Sequence, residues 1–185
     1  LIDPPSVLII SRIAALNAVD AAYVQGVNDY IAAGGSVIAE EDGAALFFNQ
    51  FEGDQPVMQN LNPTFEIFTG LVRGGGALLP IDASTTFVID AQHPLMHGVP
   101  SNFLLGLRRA FAITGYDGSW LESSANFVSQ GFLDLVPEGT YPAVLSGRCG
   151  TGRVVLLPMN HFNVITSDPI QTMLSNALNW TTTGQ

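Results

Sequence analysis

Two kinds of hydrophobic spacing alternate along the first fifty residues. Residues 6–11, "SVLIIS", form an unbroken apolar run after the Pro4-Pro5 pair, the pattern of a strand buried on both faces in a parallel sheet. Apolar positions then recur at Val19, Ala22, Tyr23, Val27, Tyr30 and Ile31, a spacing of three and four that predicts one buried face of a helix over residues 17–33. Asn17 or Asp20 serves as its cap, and Gly34-Gly35 ends it, because glycine enters the left-handed conformation without a Cβ penalty. A second buried strand follows at residues 36–39 and a short helix at 44–51. Strand, helix, strand, helix predicts an α/β domain with a parallel sheet.

The middle of the chain is less periodic. Residues 52–63 are polar with Gly and Pro, and short strands are expected near 77–81, 86–89 and 110–114. "GYDGSWLESS" reads as a turn leading into extended chain. The last third is clearer. Two apolar runs flank the Gly-rich turn in "YPAVLSGRCGTGRVVLLP", which predicts an antiparallel hairpin over residues 141–158. Asp168-Pro169 then caps a closing amphipathic helix whose apolar face is Ile170, Met173, Leu174, Ala177, Leu178 and Trp180. Residues 1–180 are expected to form one domain, with 181–185, "TTTGQ", as a tail or the start of a linker.

Composition supports a single well-packed core, since 47% of the 185 residues are hydrophobic and 12% charged. Sixteen acidic residues against six basic ones, all Arg, give a formal charge of -10. No basic patch is left to neutralise phosphates, which argues against nucleic acid and anionic membrane as partners. No apolar run reaches the roughly 18 to 20 residues of a membrane-spanning helix, so membrane insertion is not expected. The one cysteine, Cys149, leaves no internal disulfide. A beginning at Leu1, close to the first strand, points to a removed leader or a larger parent chain and favours an extracytoplasmic setting.

Glu40, Glu41 and Asp42 precede Gly43 at the turn after the second strand. With the pieces around it, this turn carries a family resemblance. The stretch from "SVLII" through "SVIAEEDG", the turn "HPLMHGVP", the hairpin "PAVLSGRCGTGRVVLLP" and the terminal "IQTMLSNALNW" resemble, in order, the class I glutamine amidotransferase-like superfamily, in the branch of trehalose-utilisation-like domains and the amidotransferase-like domain of β-galactosidases. The resemblance implies a flavodoxin-like three-layer sandwich with a mostly parallel sheet and a C-terminal antiparallel hairpin. Ligands would sit at the carboxyl ends of the parallel strands. It also implies that a first βα unit is missing before "SVLII". Active members place a Cys at the turn after the strand matching "SVIAE", where this chain has acids, and a His in the region that matches His161.

The expected function is therefore a catalytically inactive amidotransferase-like domain acting as a structural or protein-interaction module. A protein partner or a second copy would complete its open sheet edge, and no cofactor or metal is called for. The competing reading is a hydrolase on an amide, ester or sugar-derived substrate, with Glu41 or Asp42 paired to His161 within about 3 Å. A carbohydrate-binding role would need Tyr116, Trp120 and Phe162 exposed on one surface.

Other candidates carry blander readings. Glu40, Glu41, Asp42, Glu52 and Asp54 could offer oxygens to Ca²⁺ but lack EF-hand spacing, and read better as a solvated rim. His93 and His97 are four apart, yet Pro94 and Gly98 make a turn of the stretch rather than a zinc-binding helix face. Cys149 beside Arg148 reads as an exposed, non-catalytic thiol in a hairpin turn. "RGGGA" at 73–77 lacks phosphate-loop spacing, Arg108-Arg109 offers one ion pair, and Phe47, Phe48 and Phe51 suit the buried face of a short helix.

Overall fold

The computed structural model describes residues 7–10, 21–40, 42–45, 47, 69–70, 84–105, 112–113, 116, 118–132, 136–158 and 167–184. The apolar run near the start forms β1 (Val7–Ile10). Helix α1 (Ala21–Ala32) leads to β2 (Ser36–Glu40), every residue of which is buried. The helix stops where expected, with Gly34 at φ +94° in the left-handed region. Helix α2 (Asp42–Ala45) follows, and β3 (Thr69–Gly70) pairs with β6 (Ala112–Ile113) in a small separate sheet. The main sheet is completed by β4 (Ser84–Val88), β5 (Asn102–Leu105), β7 (Leu121–Phe132), β8 (Val136–Cys149) and β9 (Gly152–Leu157), and helix α3 (Asp168–Thr183) closes the described chain.

Among the described residues the main sheet has seven strands, in the order β1-β2-β9-β8-β7-β4-β5. The sheet is mixed, not mostly parallel as the sequence suggested. Among the described residues only β1 with β2 and β2 with β9 run parallel, and the other neighbours are antiparallel. The cause is connectivity. Parallel neighbours need a crossover, supplied between β1 and β2 by α1, whereas β7, β8 and β9 follow one another through short turns that permit only antiparallel pairing. The predicted hairpin is β8 and β9, but β8 is much longer than its apolar run because its first half pairs with β7, as far as Phe132 opposite Val136.

Side chains alternate between two apolar layers. Val37, Ala39, Leu145, Val154 and Leu156 face the α1 side with Val27, Ile31 and Phe47. Ile38, Val144, Val155 and Leu157 face α3 with Ile170, Met173, Ala177 and Trp180. The sheet thus has an apolar layer on each face, one toward α1 and one toward α3, in an α/β domain.

Three local expectations are corrected. β1 is an edge strand, not one buried on both faces: Ile9 is 46% exposed, because among the described residues no strand pairs on its outer side. The cap of α3 is Ser167 rather than Asp168, which falls in the first turn, and the helix continues through the threonines to Thr183 before Gly184 at φ +84°. Leu178, expected on the apolar face of α3, is 41% exposed, while Thr181 is buried there and donates its hydroxyl to the Ala177 carbonyl. The expected strand at 77–81 lies outside the described residues.

Candidate functional site

β1, β2 and β9 all end at the same side of the molecule. Parallel registers place Ile10 beside Ala39 and Glu40 beside Leu157, so this side holds the carboxyl ends of the parallel strands, where open α/β sheets bind ligands. The turn after β2 is tight and closely seated. A Cβ on Gly43 would run into the carbonyl oxygen of Ile10, so the start of α2 lies directly against the end of β1. Ala44 and Phe47, both fully buried, tie this turn to the α1-side core. Helix α2 begins at Asp42, two residues earlier than the periodicity predicts.

Of the sequence-predicted catalytic residues, Glu41 and His161 lie outside the described residues, and Asp42 is described only through its place in α2. The placement of this set relative to one another thus lies outside the described residues. Glu52, Asp54, Phe48, Phe51, Phe162, Arg108, Arg109 and residues 73–77 also lie outside the described residues. The expected solvated acidic rim is corrected at Glu40, which is buried rather than facing solvent. It is 3% exposed and shares with Ile38 the α3-facing phase of β2. The signal was present in the strict period of two from Ile38.

Cys149 pairs with Gly152 across the β8–β9 turn, level with the beginning of β9 rather than its end. The chain's single thiol thus lies at the amino-terminal end of the parallel strands, on the opposite side from the turn after β2. It is half-buried against the α1-side core rather than exposed as expected. Trp120 and Tyr116 are likewise half-buried against that core, which counts against their forming a carbohydrate platform.

A second constellation involves a histidine that the sequence offered only as an unconvincing zinc ligand. His93 is the N-cap of a 3-10 turn, Pro94–Met96, and His97 is its exposed C-cap. The backbone N–H of Leu95 donates to His93 Nδ1 at 3.1 Å. The other ring nitrogen, Nε2, lies 3.0 Å from Glu122 Oε1 and 3.0 Å from Ser146 Oγ. These residues superficially form a serine–histidine–acid set, but the geometry is wrong for nucleophile activation. An active triad accepts the serine proton on one ring nitrogen and donates from the other to the acid. Here serine and acid share Nε2, and Nδ1 accepts from the backbone, so the ring carries its proton on Nε2 and has no free lone pair for Ser146. Ser146 is itself fully buried. The constellation ties β7 and β8 to the 93–98 turn. The Trp180 ring of α3 lies 6.0 Å from the imidazole, and the Arg153 guanidinium lies 5.9 Å from that same Trp180 ring. Arg153 also reaches the Thr181 carbonyl at 3.5 Å, placing a cation at the negative end of α3.

Solved structures share this architecture. A ThuA-like protein from Bacteroides uniformis matches with a TM-score of 0.61 at 14% identity, over 95% of this chain and 68% of that one. The fold is shared with ThuA-like proteins. A structure described as a GMP synthase subunit from Thermoplasma acidophilum matches with a TM-score of 0.55 at 12% identity, over 92% of this chain and 69% of that one. A β-galactosidase from Bacillus circulans matches with a TM-score of 0.53 at 11% identity, and there the chain covers 22% of a much larger protein. No family model matches the sequence, and a search of curated proteins found no match.

Proposed function

We propose that this chain is an amidotransferase-like domain that does not run the superfamily's thiol chemistry and serves as a structural or protein-interaction module. The observation that carries this reading is the position of Cys149. A covalent thiol route needs the sulfur at the turn where substrate meets the strand ends. The one thiol in the sequence sits at the far end of the sheet. The turn itself is acidic, and Gly43 has no room for a side chain.

The interaction half of the reading is supported by β1. Among the described residues no strand pairs with its outer edge, Ile9 is exposed there, and its four residues carry neither charge nor proline. Natural edge strands usually carry such devices to block pairing. A strand from another segment or a second copy would complete the sheet here.

Two measurements test the proposal. Sedimentation velocity of the purified chain over a range of micromolar concentrations should show self-association that Ile9→Lys weakens at least tenfold; a wild-type chain that stays monomeric throughout would overturn the self-pairing form. Incubation with glutamine, aryl esters and aryl glycosides should show no turnover above background. Turnover abolished by Glu41→Gln or His161→Ala would establish the hydrolase reading instead.

A further inference from the structure

Arg148 of β8 and Arg153 of β9 are direct partners across the hairpin. Side chains of cross-strand partners share a face, with Cβ atoms about 5 Å apart, and like charges so placed repel. The face is the one that α3 covers, since Arg153 lies against the Trp180 ring and reaches the Thr181 carbonyl. The chain has sixteen acidic residues and six arginines, so acids to neutralise such a pair are plentiful. Among the described residues neither guanidinium has one, and the acid–base contact found there joins Glu122 to His93 instead. We propose that Arg148 and Arg153 together bind one oxyanion group, a phosphate or a carboxylate, at the β8–β9 turn end of the sheet. This inference does not rest on the edge-pairing proposal, because the site uses β8, β9 and the end of α3 and not the outer edge of β1.

The two arginines are held differently. Arg153 is half-buried, with its guanidinium 5.9 Å from the centre of the Trp180 ring and its Nη1 3.5 Å from the Thr181 carbonyl, so the plane of its fork is set in advance. Its donors are incompletely used. Nε is buried without a hydrogen-bond partner, and a buried donor in that state is costly until an acceptor reaches it. Gly184 leaves the fork its room, since a Cβ there would fall on Nη2. Arg148, by contrast, is exposed, and its long side chain can close over a group already seated on its partner. An oxyanion between them would accept charge-assisted hydrogen bonds from both and turn a repulsive contact into a bridge.

The surroundings limit what fits. The acid closest in register is Glu122, which lies opposite Ser146, two residues before Arg148 and on the same face. Its carboxylate is engaged with His93 Nε2 at 3.0 Å. A polyanion laid along this face would meet that carboxylate, whereas a single small group at the turn end would not. Two guanidiniums balance one phosphate group, which is consistent with a chain too acidic to hold a nucleic-acid backbone.

Titration of the ¹⁵N-labelled intact chain with sodium phosphate, at constant pH and with chloride holding the ionic strength level, tests the site. The backbone amides of Arg148 and Arg153 and the indole N–H of Trp180 should move along one saturating curve. Arg148→Gln, a change at an exposed side chain, should weaken that binding roughly tenfold, as loss of a charge-assisted partner does. A parallel titration with acetate separates the two forms of the group, and saturation by either ion supports the site and names the form it takes. Shifts that rise in proportion to either ion without saturating would overturn the proposal. So would an Arg148→Gln chain that binds the ion as tightly as the wild type.

Discussion

Gly43 and Gly26 illustrate how little a residue name says without its surroundings. At Gly43 a methyl group would press on the Ile10 carbonyl, which belongs to a neighbouring strand and cannot step aside. Gly43→Ala should therefore lower stability by more than about 2 kcal/mol in urea denaturation. Gly26 lies within α1 with nothing within 4 Å of its missing Cβ. Gly26→Ala should raise stability by roughly 0.5 to 1 kcal/mol, since it narrows the unfolded ensemble and suits a helix. Ser167 makes a third case. It occupies the N-cap of α3, but its hydroxyl makes no capping bond. Ser167→Ala should shift stability by less than about 0.5 kcal/mol, well short of the usual loss of about 1 kcal/mol at a bonded cap.

At the scale of elements, α3 is anchored by side-chain bonds as well as by its apolar face. Asn176 holds two carbonyls of the 93–98 turn, so Asn176→Ala should cost about 1 to 3 kcal/mol and lower the urea midpoint. Elements built on local periodicity were legible in the sequence. β1, α1, β2, the β8–β9 hairpin and α3 all fall where apolar spacing and Gly or Pro punctuation place them. The turn at 93–98 was legible as a turn, because Pro94 and Gly98 forbid a helix there. Long-range facts were not legible. The first half of β8 reads as weakly patterned chain, and only its pairing with β7 makes a strand of it. His93 looked like one of two spaced imidazoles, and nothing local reveals that Glu122 and Ser146 converge on it from two other strands. The mixed character of the sheet was hidden for the same reason, since strand direction depends on which neighbours the turns bring together.

At the scale of the whole molecule, one sheet serves two apolar layers. Leu156 and Leu157 are adjacent in β9, both fully buried, and face opposite sides. Leu156→Ala and Leu157→Ala should each cost about 2 to 5 kcal/mol. Both should displace the same single urea transition without changing its slope, because neither layer can persist without the strands they share. Two separate transitions would show that the layers unfold independently.

Cys149 has a practical consequence as well. A chain with a single sulfhydryl, half-buried at the β8–β9 turn, confines thiol labelling to one known point. β9 runs from its start beside that point to Leu157, opposite Glu40, in five residue steps, about 17 Å of extended chain. A fluorophore coupled there would sit outside direct contact with anything bound beside Glu40 yet within energy-transfer range of it, and so could report occupancy of that end of the sheet from the other.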